Sequence, residues 1–144
     1  MKNTVERTLF VMLAALSMVS TSLMGQSKFA MRMKIPFDFV AGEKAFPAGE
    51  YTIQTGGSVP NAVWIRSEDS SKNLVLLSHS TLSRQQPLGE SWLQFHRYGD
   101  RNFLSQILIA GDGTGQELPR SRAEREHVAS LGATGEVVTL AARK

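Results

Sequence analysis

Ser91-Trp92-Leu93-Gln94-Phe95-His96-Arg97-Tyr98-Gly99-Asp100-Arg101-Asn102-Phe103-Leu104-Ser105-Gln106-Ile107-Leu108-Ile109-Ala110 is the stretch whose reading decides the fold. Two runs rich in aromatic and branched residues flank Gly99-Asp100, and a two-residue loop with glycine first suits the type II′ turn, whose twist matches that of paired antiparallel strands. The spacing predicts strands over Ser91 to Tyr98 and Arg101 to Ala110. If Tyr98 opposes Arg101, then His96 faces Phe103, Phe95 faces Leu104 and Trp92 faces Ile107. Trp92, Gln94, His96 and Tyr98 then line one face, joined across the hairpin by Arg101, Phe103 and Ile107. Rings with polar tips suit a sugar or peptide site, and equally the edge of an amphipathic core.

Toward the N-terminus, apolar residues fall on every odd position from Phe29 through Met31, Met33, Ile35 and Phe37 to Phe39. Period two means a strand with one face in the core. Pro36 lacks an amide hydrogen and puts that strand at an edge or a bulge. Turns at Ala41 to Lys44 and Phe46 to Gly49 lead into a strand at Glu50 to Thr55, with Tyr51 and Ile53 on one face. After the loop Gly56 to Asn61 comes a strand at Ala62 to Ser67. A solvated turn, Glu68 to Lys72, precedes a strand at Asn73 to His79. Leu74-Val75-Leu76-Leu77 is apolar on both faces, so a cover is expected on each side. Ser80 to Glu90 reads as the longest loop.

Toward the C-terminus, Gly111 to Gly115 reads as a plain loop. It neither leads into a helix with a lysine, as a phosphate cradle would, nor carries the acids of a calcium loop. Ser121-Arg122-Ala123-Glu124 fits a capping box, predicting a helix over Arg122 to Leu131 that stops at Gly132. It has only Ala123, Val128, Ala129 and Leu131 to dock it. Val137 to Ala141 closes the chain as a seventh strand. The expected fold is mainly β: a seven-strand antiparallel sandwich or partly open barrel with one C-terminal α-helix.

The chain has 144 residues, no cysteine and a net charge of +3. At roughly 100 to 200 residues per domain, one domain is expected. Lys2 and Arg7 precede the uncharged run Leu9 to Met24, which is too short for a membrane span and ends in small polar residues. Residues 1–27 therefore read as a cleaved signal peptide, with 28–144 as a single β-rich domain, exported to a periplasmic or extracellular location. No integral span is expected after cleavage.

The basic residues are spread singly, apart from Arg120, Arg122 and Arg125 among Glu117, Glu124 and Glu126. That pattern argues against nucleic acid as a partner. Zero cysteine excludes disulfides, thiol nucleophiles and thiolate metal sites. His79, His96 and His127 have no short ligand spacing, so neither a metal nor any other cofactor is expected. There is no Gly-x-Ser-x-Gly elbow for a serine hydrolase. Asp38, Glu43, Glu50 and Asp100 sit beside turns or on polar faces, where solvated charge is the ordinary state of a carboxylate.

Ile35-Pro36-Phe37-Asp38-Phe39, Phe46-Pro47-Ala48-Gly49-Glu50-Tyr51-Thr52 and Phe95-His96-Arg97-Tyr98-Gly99-Asp100-Arg101, with Glu117-Leu118-Pro119, Ser121 and Glu124, together resemble a group of small exported bacterial proteins of unknown function. The resemblance implies a shared β-rich domain and no activity. The Pro-Ala-Gly-Glu-Tyr-Thr piece alone is similar to prealbumin-like sandwich modules of secreted surface proteins. Some of those carry a Lys to Asn crosslink. Lys34 matches the lysine, but Val137 to Ala141 offers no asparagine.

Three function classes follow. The first is a non-catalytic binding or envelope-associated module whose partner is a protein or envelope component. The second is a barrel carrying a small apolar ligand. The third is a hydrolase, which would need a cleft where His96 or His79 meets Asp100 or Glu90. The expected binding residues are Arg97, Tyr98, Asp100 and Arg101, because a tight turn holds them rigidly and Tyr and Arg dominate interface energies.

Overall fold

The computed structural model describes residues 28–59, 61–81, 89–112, 114–132 and 134–142. The signal-peptide reading and most of the polar loop before Glu90 lie outside these residues. The elements run β1 (Lys28–Ile35), β2 (Phe39–Ala41), β3 (Lys44–Phe46), β4 (Gly49–Gly56), β5 (Ala62–Ser67), β6 (Asn73–Leu77), β7 (His79–Thr81), β8 (Trp92–Tyr98), β9 (Arg101–Leu108), β10 (Gly115–Glu117), α1 (Arg122–Leu131) and β11 (Glu136–Ala141). The protein is mainly β, with two sheets that do not close into a barrel.

One sheet is the antiparallel series β1-β4-β5-β6. Its inner face is the period-two pattern made physical: Met33 and Ile35 of β1, Tyr51 and Ile53 of β4, and Val63 and Ile65 of β5 are all buried. The second sheet is ordered β11-β8-β9-β10-β7. The outer edge of β9 is divided, with β2 pairing to Asn102 and Phe103 and β10 to Gln106 and Ile107. Phe39, Phe46, Leu93, Phe95, Leu104 and Ile107 from this second sheet join the same buried cluster as the inner face of the first.

The structure alters the strand map in four places. The long odd-numbered strand is cut at Pro36, and Phe39 crosses into the other sheet as part of β2. There β2 runs parallel to β9, so the fold is not wholly antiparallel. The strand expected to run on to His79 breaks at Ser78. This residue is buried, with its hydroxyl 2.8 Å from Asn61 O and 2.6 Å from Gln116 Oε1, so β6 and β7 belong to different sheets. Gly115 to Glu117 is a strand, not the tail of a loop. The count is eleven strands among the described residues, against the seven expected.

The central hairpin forms at Gly99-Asp100. Gly99 has φ +63° and Asp100 is absent from the positive-φ residues, which is the II′ pattern. His96 faces Phe103 and Phe95 faces Leu104, but Trp92 faces Leu108 instead of Ile107. Ser105 is the cause. It bulges out of the register, donating from Oγ to Gln94 O at 3.0 Å while its own carbonyl accepts Leu118 N at 2.8 Å. One extra residue reverses the alternation beyond it. Ile107 and Ile109 thereby rejoin Leu104 in the main core.

Helix α1 covers a smaller cluster of Val40, Tyr98 and Phe103 with Ala123 and Val128. Ser121 caps it, accepting Glu124 N at 3.1 Å, and Gly132 ends it in the left-handed region with φ +59°. Only half of the capping box is made. Glu124 turns inward, and Glu43 from the β2–β3 turn takes the other free amides, accepting Arg122 N at 2.6 Å and Ala123 N at 3.2 Å. Leu131, expected to dock the helix, is exposed.

Candidate functional site

The four hairpin residues do not share one surface. Arg97 is held by Asn102, donating from Nε to Oδ1 at 2.8 Å, and lies 5.4 Å over the Phe37 ring. Asn102 in turn donates to Asp38 O at 3.0 Å. Tyr98 is only 4% exposed, under α1. Asp100 and Arg101 are exposed, with Arg101 over Phe103 at 5.2 Å and not over Tyr98. These two border a groove of about 540 Å³ that also includes Asp38, Pro47 and Lys72.

Beneath the tip lies a polar cluster that the sequence did not disclose. The Glu124 side chain is 4% exposed. Its Oε1 accepts His96 Nδ1–H at 2.9 Å and Tyr98 O–H at 3.2 Å, with Arg120 Nε at 3.8 Å. His127 donates from Nε2 to Tyr98 O at 3.2 Å and leans on Phe103. Burial raises the Tyr98 phenol above its ordinary value of 10.0; the charge of Glu124 and its hydrogen bond add to this, and Arg120 opposes. Two histidines and a carboxyl group thus meet around Tyr98; of these only His96 shares a strand face with it in the sequence pattern, and Glu124 and His127 arrive from the helix. Glu124 Oε1 is engaged by internal donors. The arrangement ties helix to hairpin.

The quoted motifs also have structural employment. Phe39 stacks on Phe46 at 5.2 Å and meets the edges of Tyr51 and Phe95, while Tyr51 donates its hydroxyl to Pro47 O at 2.6 Å. Asp38 Oδ1 accepts Ala48 N at 2.8 Å. Ile-Pro-Phe-Asp-Phe and Phe-Pro-Ala-Gly-Glu-Tyr therefore build the aromatic centre of the core.

The surface with spare binding capacity is the outer face of the four-stranded sheet. Two cross-strand rows lie on it, Ala30–Gln54–Trp64–Val75 and Arg32–Thr52–Arg66–Asn73. A groove of about 410 Å³ runs over Trp64, flanked by Arg32, Gln54, Arg66 and Val75. Val75 is 56% and Leu77 69% exposed, so the cover expected over this side of β6 is missing among the described residues. The doubly apolar run Leu74 to Leu77 was the available signal. Such a run predicts two buried faces because burial is its commoner fate, and here only the Leu74 and Leu76 side packs against the core.

Among the described residues, no group of three or more His, Asp or Glu side chains is placed to hold a metal ion, and no helix is long and apolar enough to cross a membrane. No known protein family, no curated protein and no solved structure matches the chain.

Proposed function

We propose that the chain is a non-catalytic binding module, exported by its N-terminal segment and folded as a two-sheet sandwich, which engages a protein or envelope component across the outer face of β1, β4, β5 and β6. The observation that carries this reading is the uncovered row around Trp64 and Val75, continued by Leu77. Apolar side chains at such exposure, rimmed by Arg32, Arg66 and Asn73, have the make-up of an interface: an aromatic anchor inside a polar rim. The sandwich reading rests on the single buried cluster shared by both sheets. That interior is occupied by Tyr51, Phe39, Phe46, Phe95 and Ile107, each nearly sealed from solvent. It therefore favours a filled core over a ligand-carrying barrel.

The test is capture from the producer's own envelope fraction by the immobilised protein and by a Trp64→Ala/Val75→Lys variant. The captured species, once purified, should bind the variant at least tenfold more weakly, with the melting temperature within a few degrees of the parent. Equal binding by a folded variant overturns the reading. The groove beside Asp100 and Arg101 supports a second contact at the hairpin tip. An Asp100→Ala/Arg101→Ala variant tests it by the same capture.

A further inference from the structure

The ladder between β5 and β6 is bracketed by Ser67 N to Lys72 O at 2.9 Å and Ser78 N to Asn61 O at 2.8 Å. Antiparallel pairs alternate between bonded and non-bonded, so the peptide groups of residues 74 and 76 face β5 and those of 73, 75 and 77 face the other way. β6 pairs with β5 alone among the described residues. On its open side the Asn73 carbonyl accepts Lys44 Nζ at 3.0 Å, and among the described residues no hydrogen bond occupies the outward N–H and C=O groups of Val75 and Leu77.

This edge lacks the usual protection. At the opposite edge of the sheet β1 carries Arg32 and Lys34 and stops at Pro36, and β11 at the edge of the second sheet opens with Glu136. Asn73 to Leu77 has no charge and no proline. An exposed apolar edge of this kind is a template for another strand.

Beside it runs a groove of about 420 Å³. Leu76 and Leu77 form one wall, and Leu118 with Arg120, Arg122 and Arg125 forms the other. The carboxylate of Glu43 in the same groove is consumed by the helix amides. Arg122 Nε bonds Glu126 at 2.6 Å, Arg125 donates to Arg120 O at 2.7 Å and Arg120 Nε lies 3.8 Å from Glu124. Each guanidinium therefore keeps further N–H donors with which to select an anion, and strand geometry selects an extended chain.

We propose that the free edge of β6 receives an extended acidic segment of a partner protein as an added strand, with its carboxylates on Arg120, Arg122 and Arg125. The proposal deepens the binding-module reading, on which it rests, by naming the class of partner. A second copy of this chain is a poorer occupant, because its β6 brings no carboxylate and its own three arginines would enter the same gap.

The probe is a capped heptapeptide of alternating glutamate and valine, added to the full-length protein, with a lysine-for-glutamate version and a backbone N-methylated version as controls. Amide exchange at Val75 and Leu77 should slow at least tenfold with the glutamate peptide. The lysine peptide should bind at least tenfold more weakly, and the N-methylated one should give no protection. Val75→Pro should abolish the effect while keeping the fold, since the lost N–H makes no bond to β5. If that variant does not fold, Arg122→Gln/Arg125→Gln should weaken the glutamate peptide at least tenfold.

Unchanged exchange at Val75 and Leu77, equal binding of the lysine peptide, or a concentration-dependent dimer abolished by Val75→Pro would overturn the proposal. A peptide that perturbs Trp64 without protecting the edge defeats strand addition and leaves outer-face binding standing. Edge protection together with unaltered partner capture by Trp64→Ala/Val75→Lys defeats the outer face instead.

Discussion

Glu124 shows at the scale of one residue how a polar side chain can organise an interior. His96 and Tyr98 both donate to its Oε1, and the carboxyl group lies under α1 with almost no access to water. Truncation to alanine strips the buried Tyr98 hydroxyl of its acceptor. Glu124→Ala should therefore cost about 2–4 kcal/mol in urea unfolding, and Glu124→Gln, which retains an acceptor, about 1 kcal/mol. Equal losses would mean that the cluster contributes packing alone.

Both tyrosines of the chain report on burial. Tyr51, like Tyr98, is held above 10.0, first by burial and then by the charges of Asp69 and Asp38. The unfolded chain therefore gives up its phenolic protons before the folded one does. Stability is fully present below pH 10 and is lost as pH rises through the raised folded values. The tyrosinate absorbance of the native protein should lag behind that of the protein in denaturant on alkaline titration. Tyr98→Phe should remove half of the lagging signal.

At the scale of the element, strands and helix were legible where a local rule acts alone. Gly99-Asp100 announces its own turn, Arg122–Leu131 its own caps, and Phe29 to Ile35 its own inner face. The failures share a cause, which is tertiary context. The bulge at Ser105 exists because Leu118, thirteen residues on, takes its carbonyl. Similarly, Ser78 breaks a strand because Gln116 of β10 and Asn61 of the turn before β5 both bond its hydroxyl. The candidate surfaces were less legible than the fold, because exposure of Val75 and Leu77 depends on what fails to pack on them, and the chain carries no mark of that. The capping of α1 belongs to the same class. Glu43→Ala should destabilise the protein by about 0.5–2 kcal/mol, with the loss seen first as faster amide exchange in the first turn.

For the molecule as a whole, stability lies in the core shared by the two sheets, and β6 contributes its outer face to none of it. Val75→Lys/Leu77→Lys should leave the melting temperature within a few degrees and raise solubility, because the edge then carries like charges. Chelator should leave the melting temperature unchanged. With no cysteine in the chain and no group of three or more His, Asp or Glu placed to hold a metal among the described residues, a divalent ion has few ligands here. A drop of several degrees would reveal one.

The Glu43 cap carries a kinetic consequence. The carboxylate that closes the start of α1 comes from 79 residues upstream, on the turn between β2 and β3, and β2 in turn pairs with β9. A ten-residue helix is marginal in isolation, so α1 has little reason to form early. In refolding followed by stopped-flow circular dichroism, the helical signal should rise together with the burial of Tyr98 and not ahead of it. The only helix described would then be among the last elements to arrive, waiting for a loop closure that spans more than half the chain.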